Sequence, residues 1–406
     1  MQRSDASSPS AGTRPRRRLA ALDLLRFIAA FAVLAFHYTS RTNTAFGTDV
    51  QRVFPQLGQF TALGALGVQL FFMISGFVIL KSVWGRSTQD FVASRVSRLF
   101  PAYWCALIAT GAVMLLLRPQ PVNQNLKLSE VLTNLTMVQS AFSVRNVDGV
   151  YWTLYVELKF YLLIGLLSLV GLTRNRIIAF AMLWPVVGAV AHDKGEVFLS
   201  TVLASEHAVF FATGMLLYLV HREGHSAFLW GLIVLQWALA LQACSSYLVP
   251  FLEAGTDRTV PLWWVQVAIT AIFAAVALTT VSPLSRLSWG WMSVLGALTY
   301  PLYLVHENWG YVIIHATHGA LGQLPALALA VAGSLAGAAA IHFLVERPAA
   351  PRLRELVRRG LEPGGPETSE ASLVRRVTGH LPAAPRATVT TAPDRETELP
   401  RVPSSV

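Results

Sequence analysis

The sequence predicts an all-α, polytopic membrane helix bundle of about ten transmembrane helices, with both termini cytoplasmic. Three observations lead there. Of 406 residues, 54% are hydrophobic and only 13% charged, where a soluble domain has about a quarter charged, and mean hydropathy is +0.50. Apolar stretches recur at lengths near the roughly 20 residues that cross a bilayer. Basic residues concentrate in alternate gaps between those stretches, as expected when every second gap is cytoplasmic.

Residues 1–18 form a basic N-terminal segment. The apolar runs that follow cover 19–38, 61–83, 99–117, 151–171, 177–191, 197–219, 227–244, 262–281, 291–314 and 322–345. The first could imitate a signal peptide, but Asp23 and Arg26 lie inside it, so it is kept as a span. The fifth is short, which leaves the count uncertain by one. Seventeen Lys and Arg fall in one alternating set of gaps and seven in the other, which places both ends inside. Between 118 and 150 runs the longest outside loop, with a short surface helix expected over 128–138, begun by Ser129. The membrane domain is bounded at 19–348. Residues 349–406, rich in Pro, Gly, Ser, Thr and charge toward the end, read as a cytoplasmic, largely disordered tail.

Net charge is +10, but its placement follows topology, so no nucleic-acid partner is expected. Cys105 and Cys244 have no CxxC spacing, and no metal site or disulfide scaffold is expected. No repeat relates the two halves, which weighs against a transporter built from repeated units.

Ionisable groups inside spans are costly and mark function by default. They are Asp23, Arg26, His37, Glu157, Lys159, Glu206, His207, His306, Glu307 and His342. Arg26 and His37 are eleven residues apart, three helical turns, and so share a face at depths about 16 Å apart, Arg26 toward the cytosol. Snorkelling of His37 to the interface and of Arg26 to lipid phosphate is the competing reading. Glu157 lies two turns below the outer surface at a depth where His37 could meet it, and Lys159 faces elsewhere. Trp152 and its tyrosine neighbours could equally be an aromatic belt. His306 follows Pro301 by one turn, where backbone groups loosen near a cavity; a packed structural histidine is the alternative. Glu206 and His207 are less specific, and His342 and Glu346 read as a structural ion pair with Arg347. Arg95 and Arg98, three residues apart on the cytoplasmic side, project together and suit a phosphate group, although positive-inside bias explains them too.

Several motifs stand in order along the chain: Leu22-Asp23-Leu24-Leu25-Arg26 with His37; Gly67-Val68-Gln69 through Ser75-Gly76-Phe77; Arg95 and Arg98 before Pro101, Tyr103 and Trp104; Trp152-Thr153-Leu154 through Glu157 to Phe160-Tyr161; Tyr303-Leu304-Val305-His306; and Glu346-Arg347-Pro348. Over about residues 19–348 the chain resembles the membrane-bound acyltransferase-3 family, which O-acylates carbohydrates and related compounds. Gln69 departs from the acidic residue frequent there, and no soluble hydrolase-like domain of the kind some relatives carry is expected after the last span.

The resemblance implies an acyl-CoA donor from the cytosol and a hydroxyl acceptor, a carbohydrate or glycosylated small molecule, in the plasma membrane, with no permanently bound cofactor. It implies His37 as catalytic histidine and Arg26, Arg95 and Arg98 as donor-site residues. Glu157 is expected to orient the imidazole. Trp152, Tyr303 and His306 are expected substrate-binding residues. A transporter or flippase for a sugar or lipid-linked substrate is the alternative, and an idle scaffold a third.

Overall fold

The computed structural model describes residues 19–122 and 125–361. The Arg14–Arg18 cluster and the tail from 362 lie outside the described residues. In order, the helices are α1 (Ala20–Thr39), α2 (Val50–Val53), α3 (Leu57–Thr61), α4 (Gly67–Val83), α5 (Thr88–Leu116), α6 (Leu128–Asn134), α7 (Trp152–Val170), α8 (Arg174–Asp193), α9 (Val197–Val202), α10 (Ala208–Glu223), α11 (Ala227–Ala243), α12 (Val249–Thr256), α13 (Leu262–Val281), α14 (Gly290–Leu321), α15 (Gln323–Ile341) and α16 (Arg347–Leu361), with no strand among the described residues.

The result is a polytopic helical bundle, and eight segments among the described residues are long and apolar enough to cross a membrane. The other two apolar runs form α10 and α14. At 16 residues α10 is short, while α14 carries His306, Glu307 and Asn308 in its middle. Large apolar side chains such as Leu116, Leu169 and Leu344 stand exposed on the perimeter, the arrangement that lipid solvates. Every residue of α10 from Ala208 to Val220 is buried, so this short helix forms the centre. It crosses α4 at two glycines: a Cβ on Gly76 would collide with the Phe211 carbonyl, and one on Gly214 with the Met73 carbonyl. Small residues at such crossings let backbones meet.

Three elements differ from the sequence reading. The run 197–219 is not one helix; the chain breaks at Ala204, which adopts a left-handed conformation at φ +47°, before a single 3-10 turn at Ser205–His207 leads into α10. The surface helix expected from 128 is α6, but it is capped at Lys127, whose backbone N–H donates to Glu130, rather than at Ser129. Helix α16 extends to Leu361, so the segment after 348 starts as a helix.

Candidate active site

Helices α1 and α14 pack face to face because Gly310 leaves room for the Tyr38 ring, where any Cβ would clash. The Tyr38 hydroxyl lies 2.6 Å from the carbonyl of His306, to which it donates, and 2.7 Å from Ser334 Oγ on α15. Tyr311 donates to the carbonyl of His37 at 3.2 Å. These bonds fix the backbone on both sides of two buried imidazoles.

His37 Nδ1 lies 2.8 Å from the Val33 carbonyl, and His306 Nδ1 lies 2.9 Å from that of Tyr303. A carbonyl only accepts, so each Nδ1 carries the hydrogen. His306 Nε2, 3.1 Å from His37 Nδ1, then accepts from it. His37 Nε2 is left with a lone pair, and 3.6 Å beyond it stands Glu307 Oε2, a buried oxygen with no hydrogen-bond partner among the described residues. Arg41 Nε approaches the other Glu307 oxygen at 3.5 Å.

The floor under Glu307 comes from the turn that opens α7. Asp148 is fully buried and accepts from the backbone N–H groups of Val150 and Asn308 at 3.3 and 3.2 Å, while the Asn308 amide donates to the Val147 carbonyl at 3.0 Å. Gly149 lies against the Glu307 carboxylate, which a Cβ there would strike.

Near the start of α1 a cavity of about 670 Å³ is lined by Arg26, Arg95, Arg98, Glu157, Tyr161, Tyr300, Arg347 and Arg354. Arg95 and Arg98 face it together, as their spacing predicts. The Arg95 side chain lies over the rings of Phe91 and Tyr161, and its buried Nε has no hydrogen-bond partner. Arg98 donates to Glu346 at 2.6 Å, and His342 bonds the other Glu346 oxygen at 2.8 Å. Glu346 therefore pairs with Arg98 and His342, correcting the expected pair with Arg347, which lines the cavity instead. A second, narrow cavity of about 60 Å³ shares Arg26, Ser75, Glu157 and Tyr300 with the first and is walled also by Thr153 and Tyr303. Tyr303 shares a hydrogen bond with Thr153 at 2.9 Å, and its ring lies 5.6 Å from that of His306.

Glu157 does not meet His37. It accepts from Ser75 Oγ at 2.6 Å and faces the narrow cavity beside Arg26. The reason is depth: Asp148 and Gly149 stand level with Glu307 and Asn308, and Glu157 follows eight residues later, about 12 Å farther along α7. The carboxylate beside His37 is Glu307, with Arg41 and the buried Asp148 as neighbours. Of the predicted residues, His37, His306 and Tyr303 come together; Arg26, Glu157, Arg95 and Arg98 share the lower cavity; Trp152 lines a separate cavity with His207 and Tyr247. The missed residue, Glu307, was visible as an intramembrane carboxylate directly after His306. Adjacent helical residues point about 100° apart, yet His37 lies within reach of both side chains.

A family model described as an acyltransferase domain matches residues 19–343. The chain belongs to the acyltransferase-3 family. The acyltransferase MdmB of Streptomyces mycarofaciens is 26% identical over 381 residues, covering 82% of this chain and 91% of that protein. The exopolysaccharide production protein ExoZ of Rhizobium meliloti (strain 1021) is 29% identical over 332 residues, covering 75% and 92%. No solved structure matches. This acyltransferase carries its buried histidine pair and Arg26, Arg95 and Arg98 of its arginine-lined cavity within the matched region, while Arg347 and Arg354 follow it.

Proposed function

We propose that this acyltransferase is an O-acyltransferase of the plasma membrane that moves a short acyl group from acyl-CoA to a hydroxyl of a carbohydrate or glycosylated acceptor. The carrying observation is His37 Nε2, an unprotonated imidazole nitrogen held 3.6 Å from a buried carboxylate. Such a nitrogen is a general base. The acceptor hydroxyl attacks the thioester carbonyl, its proton passes to Nε2, the new C–O bond forms, and the C–S bond breaks. The thiolate leaves as CoA thiol by taking the proton back from the imidazolium. Glu307 stabilises the imidazolium between those steps, the part expected earlier of Glu157, and His306 holds the ring through Nδ1.

The donor reading is supported by the arginines. Arg26, Arg95, Arg98, Arg347 and Arg354 gather at one cavity, and forked guanidinium groups suit phosphate oxygens. A thioester arm running through the passage at Ser75, Glu157 and Tyr303 would arrive beside His306 and His37. The acceptor class is supported by the printed names of the relatives, one an acyltransferase and one concerned with an exopolysaccharide.

The test supplies membranes carrying the protein with labelled acetyl-CoA and a panel of glycans and glycosylated metabolites. Label is expected in a base-labile ester on an acceptor. Donor-independent movement of an acceptor across liposomes, with no ester formed, would instead support a transporter and overturn the proposal.

A further inference from the structure

A second cavity, of about 430 Å³, lies apart from both the histidine pair and the arginines, between the start of α7, α9, the entry to α10 and the start of α12. That is the size of a small-molecule pocket. Trp152, Tyr247 and Phe251 form its apolar wall, with Tyr247 and Phe251 stacked at 6.0 Å. His207, Lys159 and Glu206 supply its polar groups.

Three locally unfavourable features converge on this cavity. Ala204 holds a left-handed backbone that non-glycine residues rarely adopt, and so turns Glu206 and His207 into the wall. A π-helical turn at Cys244–Leu248 presents Tyr247; such turns occur often at functional sites. His207 is 97% buried, since its exposure is 3%, and its Nδ1 has no hydrogen-bond partner among the described residues. Its ring lies between Phe72 at 4.8 Å and Trp152 at 5.6 Å. Backbone strain and an unpaired buried nitrogen are retained where a ligand repays them.

Aromatic faces beside hydroxyl-reading polar groups are the chemistry of a sugar ring, whose C–H face stacks and whose hydroxyls bond. The neighbouring helix α9 gives the other half of the occupant. Ser200 and Thr201 line the cavity, whereas Val197 and Phe198 on the same short helix are 75% and 82% exposed. An apolar patch beside a polar cavity in a membrane bundle suits a molecule with a polar head and an apolar body.

We infer that this cavity binds the sugar of an amphiphilic glycoside, with the apolar aglycone lying over Val197 and Phe198. The inference deepens the acyltransferase reading, resting on it only for the purpose of the bound sugar: the cavity anchors a part of a glycosylated acceptor remote from the hydroxyl that reacts at His37. Phe72, which contacts His207 on one side and lines the narrow passage on the other, separates this cavity from the donor path.

The test is photolabelling of the full chain in nanodiscs with alkyl glucoside, galactoside and N-acetylglucosaminide probes carrying a diazirine on the aglycone. Crosslinks are expected on peptides containing α9 and 247–251. They should fall at least tenfold with excess methyl glycoside of the matching sugar, and likewise in Tyr247→Ala. A second variant, Phe198→Ala, removes an 82% exposed ring without burying a charge, and should weaken capture of the alkyl probe while methyl glycoside competition against the residual label persists. His37→Ala should label like the wild type. Labelling spread over the perimeter and uncompeted by any methyl glycoside would overturn the inference even if acyl transfer is found. Competed labelling at this cavity with no transfer from any acyl donor would keep the sugar site and sink the acyltransferase proposal.

Discussion

Glu307 is the side chain whose chemistry is most exposed to test. Its Oε2 faces His37 Nε2 with no hydrogen-bond partner among the described residues, the position from which a carboxylate would stabilise the imidazolium of the proposed mechanism. Glu307→Gln keeps the shape and removes the charge. Its kcat is expected to fall about 100-fold, the scale of one lost electrostatic partner, with a small change in KM for the acyl donor, measured by initial rates. Gly149→Ala should mimic it, since the new methyl group displaces the same carboxylate, and Glu157→Gln should differ by acting mainly on donor KM. His37 and His306 were legible because so few ionisable residues lie within the spans. The identity of the carboxylate was not, because it depends on how far α7 is offset along its axis from α14, and no local pattern encodes that offset.

Among the elements, α10 carries the packing. Gly214→Val would place a branched side chain against the α4 backbone at Met73 and Phe77, an overpacking that costs about 1–3 kcal/mol or more. A lower thermal unfolding midpoint in detergent is the expected outcome. The long loop between α5 and α7 is pinned differently: Asn134 donates to the Glu130 and Arg145 carbonyls and accepts from Val147 N–H, while Arg145 grips Glu130 through two bonds of 3.0 Å. That grip, with the Lys127 backbone N–H, holds the Glu130 carboxyl below the usual range. The sign follows: the contribution is present above the unfolded carboxyl's pKa of about 4.3 and is lost as pH falls through the lower folded value. It is below about 1 kcal/mol, because the pair is solvent-screened. Proteolysis of the loop should therefore rise at acid pH, and less so in Arg145→Ala, where the bond is already gone. Eight of the ten apolar runs were legible as helices long and apolar enough to cross a membrane. The break at Ala204 was not, since alanine favours helix and nothing local announces a left-handed residue; the conformation is imposed by packing around His207.

Across the whole molecule the bundle holds two distinct environments, a guanidinium-lined cavity and a buried histidine pair. Arg95 has no carboxylate partner among the described residues, whereas Arg98 is tied to Glu346. Arg95→Ala is thus the cleaner probe: donor KM should rise about tenfold or more with kcat less affected, a scale consistent with loss of one charge-assisted contact. Arg354→Ala should act in the same direction, a residue reached only through the unexpected helicity of α16. The clustering of Arg26, Arg95 and Arg98 was readable from spacing and topology; their joining by Arg347 and Arg354 depends on the chain's last described helix returning to α5. The central claim is that His37 is the base for acyl transfer. Membranes carrying wild-type protein or His37→Ala at equal abundance, given labelled acetyl-CoA and the acceptor that the wild type modifies, measure it directly. Transfer is expected to fall by about 100-fold or more in the variant while donor binding persists. Transfer undiminished by His37→Ala would contradict it.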